Sequence, residues 1–97
     1  SLRSIEIPSS VTEIGNNAFY NCENIIDIEL PSSLTKIGSN AFSNCTSLTS
    51  IMIPSNVTEI GEGAFYGCIN AEIKLPGYMQ EWEVSDFIDE EAKYSFY

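Results

Sequence analysis

A nine-residue phrase returns twice in this chain at a constant interval. It reads VTEIGNNAF at residues 11–19, LTKIGSNAF at 34–42 and VTEIGEGAF at 57–65, so each copy starts 23 residues after the one before. A period of roughly 20–50 residues indicates a stack of repeated supersecondary units. One unit cannot bury its own apolar edge, so neighbouring units must pack on each other, and identical residues are then expected to form ladders.

The residues around this phrase repeat with the same period. They divide the chain into units 2–24, 25–47 and 48–70, and a fourth unit starts as AEIKLP at 71–76. Each full unit opens with aliphatic-x-x-Ile-x-aliphatic-Pro. The last two apolar residues of this pattern alternate as in a strand with one buried face. Proline cannot donate to a strand ladder, so it is expected to end the strand.

The second half of each unit reads Ile-Gly-x-x-Ala-Phe-x-x-Cys. The glycine predicts a turn with positive φ, which glycine adopts without steric cost. These glycines are Gly15, Gly38 and Gly61. The spacing of Ala, Phe and Cys suits one helical or 3₁₀ turn that faces inward. The phenylalanines of the three units are therefore expected to stack as the spine of the core.

Over residues 2–76, these motifs resemble the BspA-type leucine-rich repeat family, through L-x-x-I-x-I-P followed by V-T-x-I-G-x-x-A-F-x-x-C. The resemblance implies a leucine-rich repeat solenoid: a β-rich fold with short helical or 3₁₀ turns. About three full right-handed coils, a fourth strand and a non-repeat C-terminal tail are expected. The solenoid would occupy residues 1–76, and residues 77–97 would form an acidic, aromatic cap or tail.

The same resemblance implies a non-enzymatic module for protein–protein interaction or adhesion, located at the cell surface or secreted, mainly in bacteria. The implied partner is a protein, such as a host or matrix protein, or a basic surface. Because one fold can serve many functions, the resemblance supports the expected architecture more strongly than the expected function. The alternative is a purely structural spacer segment of a larger repeat protein. The chain opens inside a repeat and without a signal segment, so we expect a fragment whose upstream part holds any targeting signal.

The charge of the chain narrows the partners. Fourteen acidic residues against four basic ones and no histidine give a net charge of −10. This charge disfavours nucleic acid, whose phosphates are bound by Lys and Arg, and it disfavours an anionic membrane surface. No apolar run approaches the roughly 18 residues of a membrane span. The high negative charge then has two explanations: it keeps the protein soluble, or it attracts a cationic partner.

Catalytic chemistry has little support in this sequence. Without histidine, neither a Ser-His nor a Cys-His pair can form, and no Gly-rich phosphate loop is present. A carboxylate pair remains open in principle. We therefore expect no enzymatic activity, no catalytic residue and no cofactor.

The three cysteines, Cys22, Cys45 and Cys68, lie one unit apart. Their backbones are expected near the strand spacing of about 4.8 Å, which is inside the range of a disulfide by distance. Free cysteine is often a small buried hydrophobe, however. Zinc usually takes four ligands, often with histidine among them, whereas this chain has three cysteines and no histidine. We expect reduced, buried thiols rather than a disulfide or a metal site.

The outward positions of the predicted strands form the candidate partner-binding face. They are Ser4, Glu6, Asp27, Glu29, Ser50, Met52, Glu72 and Lys74. Stacking is expected to place Glu6 beside Glu29, which is unfavourable for like charges. Three interpretations stay open: a solvated acidic surface, a docking face for a basic partner, and a calcium site built from the carboxylates. On another ladder, Glu13, Lys36 and Glu59 alternate in sign and are expected to pair structurally.

Residues 77–97 do not match the repeat and are rich in aromatic and acidic residues. Ser85 is expected to cap a short helix from Asp86 to about Tyr94. The tail is expected either to cap the last coil or to act as an aromatic docking segment. The candidate tail contacts are Tyr78, Trp82 and Phe87.

At the other end, no capping segment precedes the first strand in this chain. The apolar residues that would then face water are Leu2, Ile5, Ile7, Ile14 and Phe19. Monomers rarely expose contiguous apolar patches beyond a few hundred Å². We therefore expect this end to be covered, by upstream repeats or, in the isolated chain, by self-association with another copy.

Overall fold

The computed structural model describes residues 2–97, which form eight short strands and two 3₁₀ helices. The strands are β1 (Arg3–Glu6), β2 (Glu13–Ile14), β3 (Ile25–Glu29), β4 (Lys36–Ile37), β5 (Ser50–Met52), β6 (Glu59–Ile60), β7 (Glu72–Leu75) and β8 (Lys93–Phe96). The 3₁₀ helices are Gly77–Glu81 and Val84–Asp86. Neither of these helical segments has the length and apolar character that a membrane span requires.

The strand pairs of the described residues are all parallel and join each coil to the next. A five-stranded sheet has the order β1-β3-β5-β7-β8, and a three-stranded sheet has the order β2-β4-β6. The register keeps equivalent residues side by side, as in the ladder Ile14–Ile37–Ile60. The molecule is a parallel β-solenoid of about four turns, so the predicted solenoid fold is confirmed.

The turns between the strands are hydrogen-bonded from coil to coil as well. The backbone N–H of Phe19 donates to the carbonyl of Ala41 at 2.7 Å, and that of Phe42 donates to Ala64 at the same distance. On the opposite side of the coil, Gly61 donates to Ile37 at 2.8 Å. Because loops otherwise leave backbone groups unpaired, this regular pairing is what allows short irregular segments to pack inside a stack.

The phenylalanine spine of the core is confirmed. The ring centroids of Phe19 and Phe42 lie 5.3 Å apart with an interplanar angle of 8°. Those of Phe42 and Phe65 lie 5.4 Å apart at 4°. Phe42 is 1% exposed, and it is stacked between the rings of Phe19 and Phe65.

The prediction of positive φ at Gly15, Gly38 and Gly61 is wrong. Among glycines of the described residues, positive φ occurs at Gly63 and Gly67. The left-handed positions come two and six residues after the predicted ones, and asparagine fills them in the first two coils. They are Asn17, Asn40 and Gly63 on one ladder and Asn21, Asn44 and Gly67 on the next. Asparagine tolerates the left-handed region better than most residues, so the turn does not need glycine there.

Close approach between coils explains the glycine at position 38 instead. A Cβ atom built on Gly38 would lie 2.6 Å from the backbone nitrogen of Asn16 and 2.7 Å from the carbonyl carbon of Gly15. A Cβ atom on Gly15 would have no other atom within 4 Å, because no coil of this chain packs against that side of the first coil. Glycine is therefore required where one corner of the coil lies against the corner of the preceding coil.

The tail takes a different course from the predicted one, and the helix from Asp86 to about Tyr94 is wrong. The second 3₁₀ helix ends at Asp86, and the chain then returns to the sheet as β8, parallel to β7. Backbone N–H groups of Gly63 and Phe65 donate to Asp86 and Phe87 at 2.8 and 2.9 Å, continuing the coil-to-coil pattern. The open edge of β7 offers a row of backbone partners, whereas a short isolated helix is marginal in water. The segment expected to lie outside the repeat thus completes a fourth turn.

The tail also covers the last coil. Phe65, Ile73 and Leu75 are all 0% exposed, and the tail adds Met79 and Ile88 to the core. This burial supports a capping role for residues 77–97, since a solenoid needs its terminal apolar surface covered. The division of the chain at residue 76 stays a prediction.

The first coil is much more open. Leu2 is 60% exposed, while Ile5, Ile7 and Phe19 are half-buried. Ile14 differs from this group, because it is only 5% exposed. What covers this end, an upstream repeat or a second copy, stays a prediction.

Candidate binding face

The eight residues predicted for partner binding lie on the outer side of the five-stranded sheet, and all are exposed. We call them the strand face: Ser4, Glu6, Asp27, Glu29, Ser50, Met52, Glu72 and Lys74. Parallel register joins them as Ser4–Asp27–Ser50–Glu72 on one line and Glu6–Glu29 and Met52–Lys74 on the other. The geometry follows from alternation, because neighbouring residues of a strand point to opposite sides. Their role in binding stays a prediction.

Strand β8 extends this surface with two residues that sequence reasoning missed. Lys93 pairs with Glu72, and Ser95 pairs with Lys74. Both are exposed. The polar-aromatic alternation of residues 93–96, KYSF, was the available signal. It was hidden because Lys93 follows Glu72 by fewer residues than the repeat period.

The two ends of the strand face differ in charge. Glu6 lies directly opposite Glu29, and Asp27 stands on the same face. Lys74 and Lys93 lie two and three strands further along the sheet from Glu29. Like charges side by side are unfavourable, although exposure to salt solution screens them. The carboxylates of Glu6, Asp27 and Glu29 therefore do not stabilise the folded state.

Two shallow depressions lie where the first strands of the sheet end. The first, of about 550 Å³, is lined by residues that include Asp27, Glu29, Leu30 and Met52. The second, of about 510 Å³, shares Glu29 and Leu30 with it and continues to Glu6. Carboxylates beside aliphatic surface suit a Lys or Arg side chain, whose stem packs on apolar atoms while its charge stays in water.

The opposite, three-stranded sheet carries one of the two ion pairs expected along Glu13, Lys36 and Glu59, and within residues 2–97 Glu13 forms none. Lys36 Nζ lies 3.6 Å from Glu59 Oε2, and this is the ion pair that residues 2–97 contain. Both side chains are well exposed, so the pair contributes little to stability. Next to them, the Thr35 hydroxyl donates to the carbonyl of Thr12 at 3.1 Å. Side chains on and beside this sheet therefore join neighbouring coils to each other.

The three candidate tail contacts have different environments. Phe87 is 3% exposed, so it belongs to the core and is not available to a partner. Trp82 is half-buried and packs edge-to-face on Tyr78, with centroids 5.9 Å apart. The Tyr78 hydroxyl donates to the carbonyl of Val57. Phe87 is therefore no longer a candidate contact for a partner, because the tail folds back onto the third coil and buries it.

The C-terminal residue is a second anchor that sequence reasoning missed. The Tyr97 hydroxyl donates to the carbonyl of Ile53 at 2.5 Å, and its backbone N–H donates to Leu75 at 2.8 Å. Partial burial raises the pKa of Tyr97. Partial burial and the nearby Tyr97 raise the pKa of Tyr78. Both hydroxyls therefore keep the proton that these hydrogen bonds need.

The carboxylates of the strand face do not assemble a metal centre. Within residues 2–97, no three His, Cys, Asp or Glu side chains come together in a way that could hold a metal ion.

The cysteines form a ladder of free thiols inside the stack. Cys45 and Cys68 are 0% and 2% exposed, whereas Cys22 in the first coil is half-buried. The Cys45 thiol donates to the carbonyl of Phe19 at 3.2 Å, and the Cys68 thiol donates to that of Phe42 at 3.0 Å. The hydrogen bond with the Cys45 thiol and then burial raise the pKa of Cys68, and burial raises the pKa of Cys22.

The hydrogen bond with Cys68 lowers the pKa of Cys45, but this thiol is 0% exposed and no reagent reaches it in the folded chain. We therefore predict slow thiol chemistry in the native protein, because the thiolate is the reactive form and must also be accessible. Titration with a thiol reagent without denaturant should find little reaction, with Cys22 the first to react. All three thiols should react after unfolding. Cys22→Ala should remove most of the slow native reaction and serves as the control. Rapid native labelling of Cys45 or Cys68 would contradict the prediction, as would an intact mass lower by two hydrogens.

Comparisons with known proteins agree with this architecture. The family model described as "BspA type Leucine rich repeat region (6 copies)" matches residues 1–93. Among solved structures, a leucine-rich repeat protein from Bacteroides ovatus ATCC 8483 matches with a TM-score of 0.67 and 23% sequence identity. The match covers 99% of this chain and 36% of that protein, so this chain spans about a third of its length. At this identity the likeness shows the fold alone. A search of the curated proteins finds no significant match.

Proposed function

Because this chain belongs to the BspA-type leucine-rich repeat family, we propose that it is a non-enzymatic module for protein binding or adhesion. Repeats of this family often serve protein interaction or adhesion. The module is part of a bacterial cell-surface or secreted protein, and its partner is a host or matrix protein, or another protein with a basic surface. The strand face makes the contact.

One contrast between the two sheets carries this proposal. On the three-stranded sheet, Lys36 of β4 forms an ion pair with Glu59 of β6, in the neighbouring coil. The threonine just before a strand donates to the preceding coil beside both sheets, as Thr35 and Thr49 do, so the contrast lies in the strand residues themselves. On the strand face, none of the eight side chains takes part in a side-chain hydrogen bond or ion pair within residues 2–97. Met52 is 54% exposed in the middle of this face. Exposed polar and apolar side chains that make no hydrogen bond or ion pair within the fold are available to a partner.

The test measures binding of the isolated chain to a panel of purified extracellular-matrix proteins immobilised on a sensor surface. We expect saturable binding to at least one of them. The double variant Glu29→Ala/Met52→Ala should weaken it by about tenfold or more, because it removes a charged and an apolar contact at the centre of the face.

The matched control is Glu13→Ala/Tyr20→Ala, which removes an exposed acid and an exposed hydrophobic residue away from the strand face. It should bind as the native chain does. Equal losses in the two double variants would place the contact elsewhere. A chain that binds no protein of the panel would instead behave as the spacer alternative requires.

A further inference from the structure

The charges along the sheet are segregated. Glu6, Asp27 and Glu29 make β1 and β3 acidic even when Arg3 at the start of β1 is counted. β5 carries no charge, and it presents Ser50 and the exposed Met52.

The other end of the sheet, formed by β7 and β8, is the basic end, although basic residues are scarce in this protein. The chain has four basic residues, and two of them, Lys74 and Lys93, stand on β7 and β8 with Glu72 as the acid beside them. Neither lysine lies within ion-pair distance of an acid in the described part of the chain, where the ion pair is that of Lys36. The face therefore runs from negative through apolar to positive along the stack.

The size of the face decides what kind of occupant it suits. From β1 to β8 there are four inter-strand steps of about 4.8 Å, or about 19 Å, and a four-residue strand is about 13 Å long. The resulting area of roughly 250–400 Å² is well below the about 800 Å² per partner of a standard protein–protein interface. An extended segment rises about 3.3 Å per residue, so six or seven residues would cross the whole face. A single extended segment fits better than a globular surface or a second copy.

We infer that the strand face, with Lys93 and Ser95, binds an extended peptide segment whose charge is segregated in the opposite sense. Its basic end lies over Glu6, Asp27 and Glu29, an aliphatic side chain packs on Met52, and its acidic end lies over Lys74 and Lys93. This inference rests on the proposed function and specifies the partner of the same face. Basic side chains seat in the two depressions, where Leu30 accepts their stems and the carboxylates accept their charge.

The experiment compares two peptides of identical composition and zero net charge. One has two arginines, a Ser-Leu-Ser centre and two glutamates in that order, and the other carries the same residues with arginine and glutamate alternating. Equal net charge removes the general attraction of cations to a protein of charge −10. Fluorescence anisotropy at low ionic strength should find the segregated peptide bound about fivefold tighter or more, as a few exposed charge pairs provide. This advantage should vanish near 1 M salt.

Two matched variants localise the effect. Lys74→Gln should reduce the advantage of the segregated peptide by about twofold or more, because it removes the cation next to Met52 and leaves Lys93 alone at that end. Lys36→Gln has the same change of charge on the three-stranded sheet and should leave the advantage intact. Equal affinity of the two peptides, no binding of either, or an equal loss in both variants overturns the inference. The matrix-protein panel judges the proposed function separately, since a partner bound there through Glu29 and Met52 stands whatever the peptides show.

Discussion

Phe42→Ala is expected to lower the free energy of unfolding by about 3–5 kcal/mol, the usual cost of truncating a buried phenylalanine. The ring is 1% exposed and stacks on Phe19 and Phe65, so its removal opens a cavity between two coils. Backbone bonds hold the coils at fixed spacing, which prevents neighbouring side chains from closing that cavity. Domains of this size are stable by only about 5–15 kcal/mol in total. Denaturant unfolding followed by circular dichroism measures the loss.

Tyr20→Ala is the control for this prediction. Tyr20 is an aromatic residue next to the stack, but it is 48% exposed. Its truncation should change stability by about 0.5 kcal/mol or less, as for most surface positions. If Phe42→Ala cost no more than this control, the stacked rings would not be the main support of the core.

Gly38→Ala is expected to destabilise the chain by about 1–3 kcal/mol, the usual range for overpacking. The new methyl would meet backbone atoms of Asn16 and Gly15 that belong to the hydrogen-bonded corner of the first coil. Backbone cannot rotate away as a flexible side chain can, so the two coils must separate locally. Gly38→Val should be worse than Gly38→Ala, since it adds two more carbon atoms to the same space. Thermal and denaturant unfolding of the variants measure these differences.

The repeat supplies an internal control at the equivalent position. Gly15→Ala makes the same change with nothing within 4 Å of the added carbon, and φ at Gly15 is not positive. Its stability should be unchanged or slightly higher, because alanine restricts the unfolded chain. Comparable losses at the two positions would show that a local backbone requirement, and not contact between coils, keeps glycine at these corners.

Much of the architecture could be predicted because the repeat makes each coil a copy of its neighbour. A constant interval implies in-register stacking, and in-register stacking implies ladders of identical residues. The phenylalanine spine and the Lys36–Glu59 pair were predictable for this reason. The outward side of the strands followed from alternation alone, so the positions of Glu6, Glu29 and Met52 could also be predicted.

The corners and the tail could not be predicted in the same way. Local sequence favoured glycine for positive φ and a helix after Ser85, but both choices depend on what lies one coil away. Backbone contact with the preceding coil sets the requirement at Gly38, while Asn17 and Asn40 take the left-handed angles.

The sequence by itself determined the repeat, and with it the family, the stacked coils, the core ladders and the outward residues of the strands. Only the tertiary structure decided that residues 77–97 complete a fourth turn, that Phe87 is core, and that Lys93 joins the strand face. The physical reason is the open edge of β7. An unpaired strand edge draws the next segment into its ladder whether or not that segment keeps the repeat motif, and this pairing brings the second lysine to the end of the sheet opposite the carboxylates.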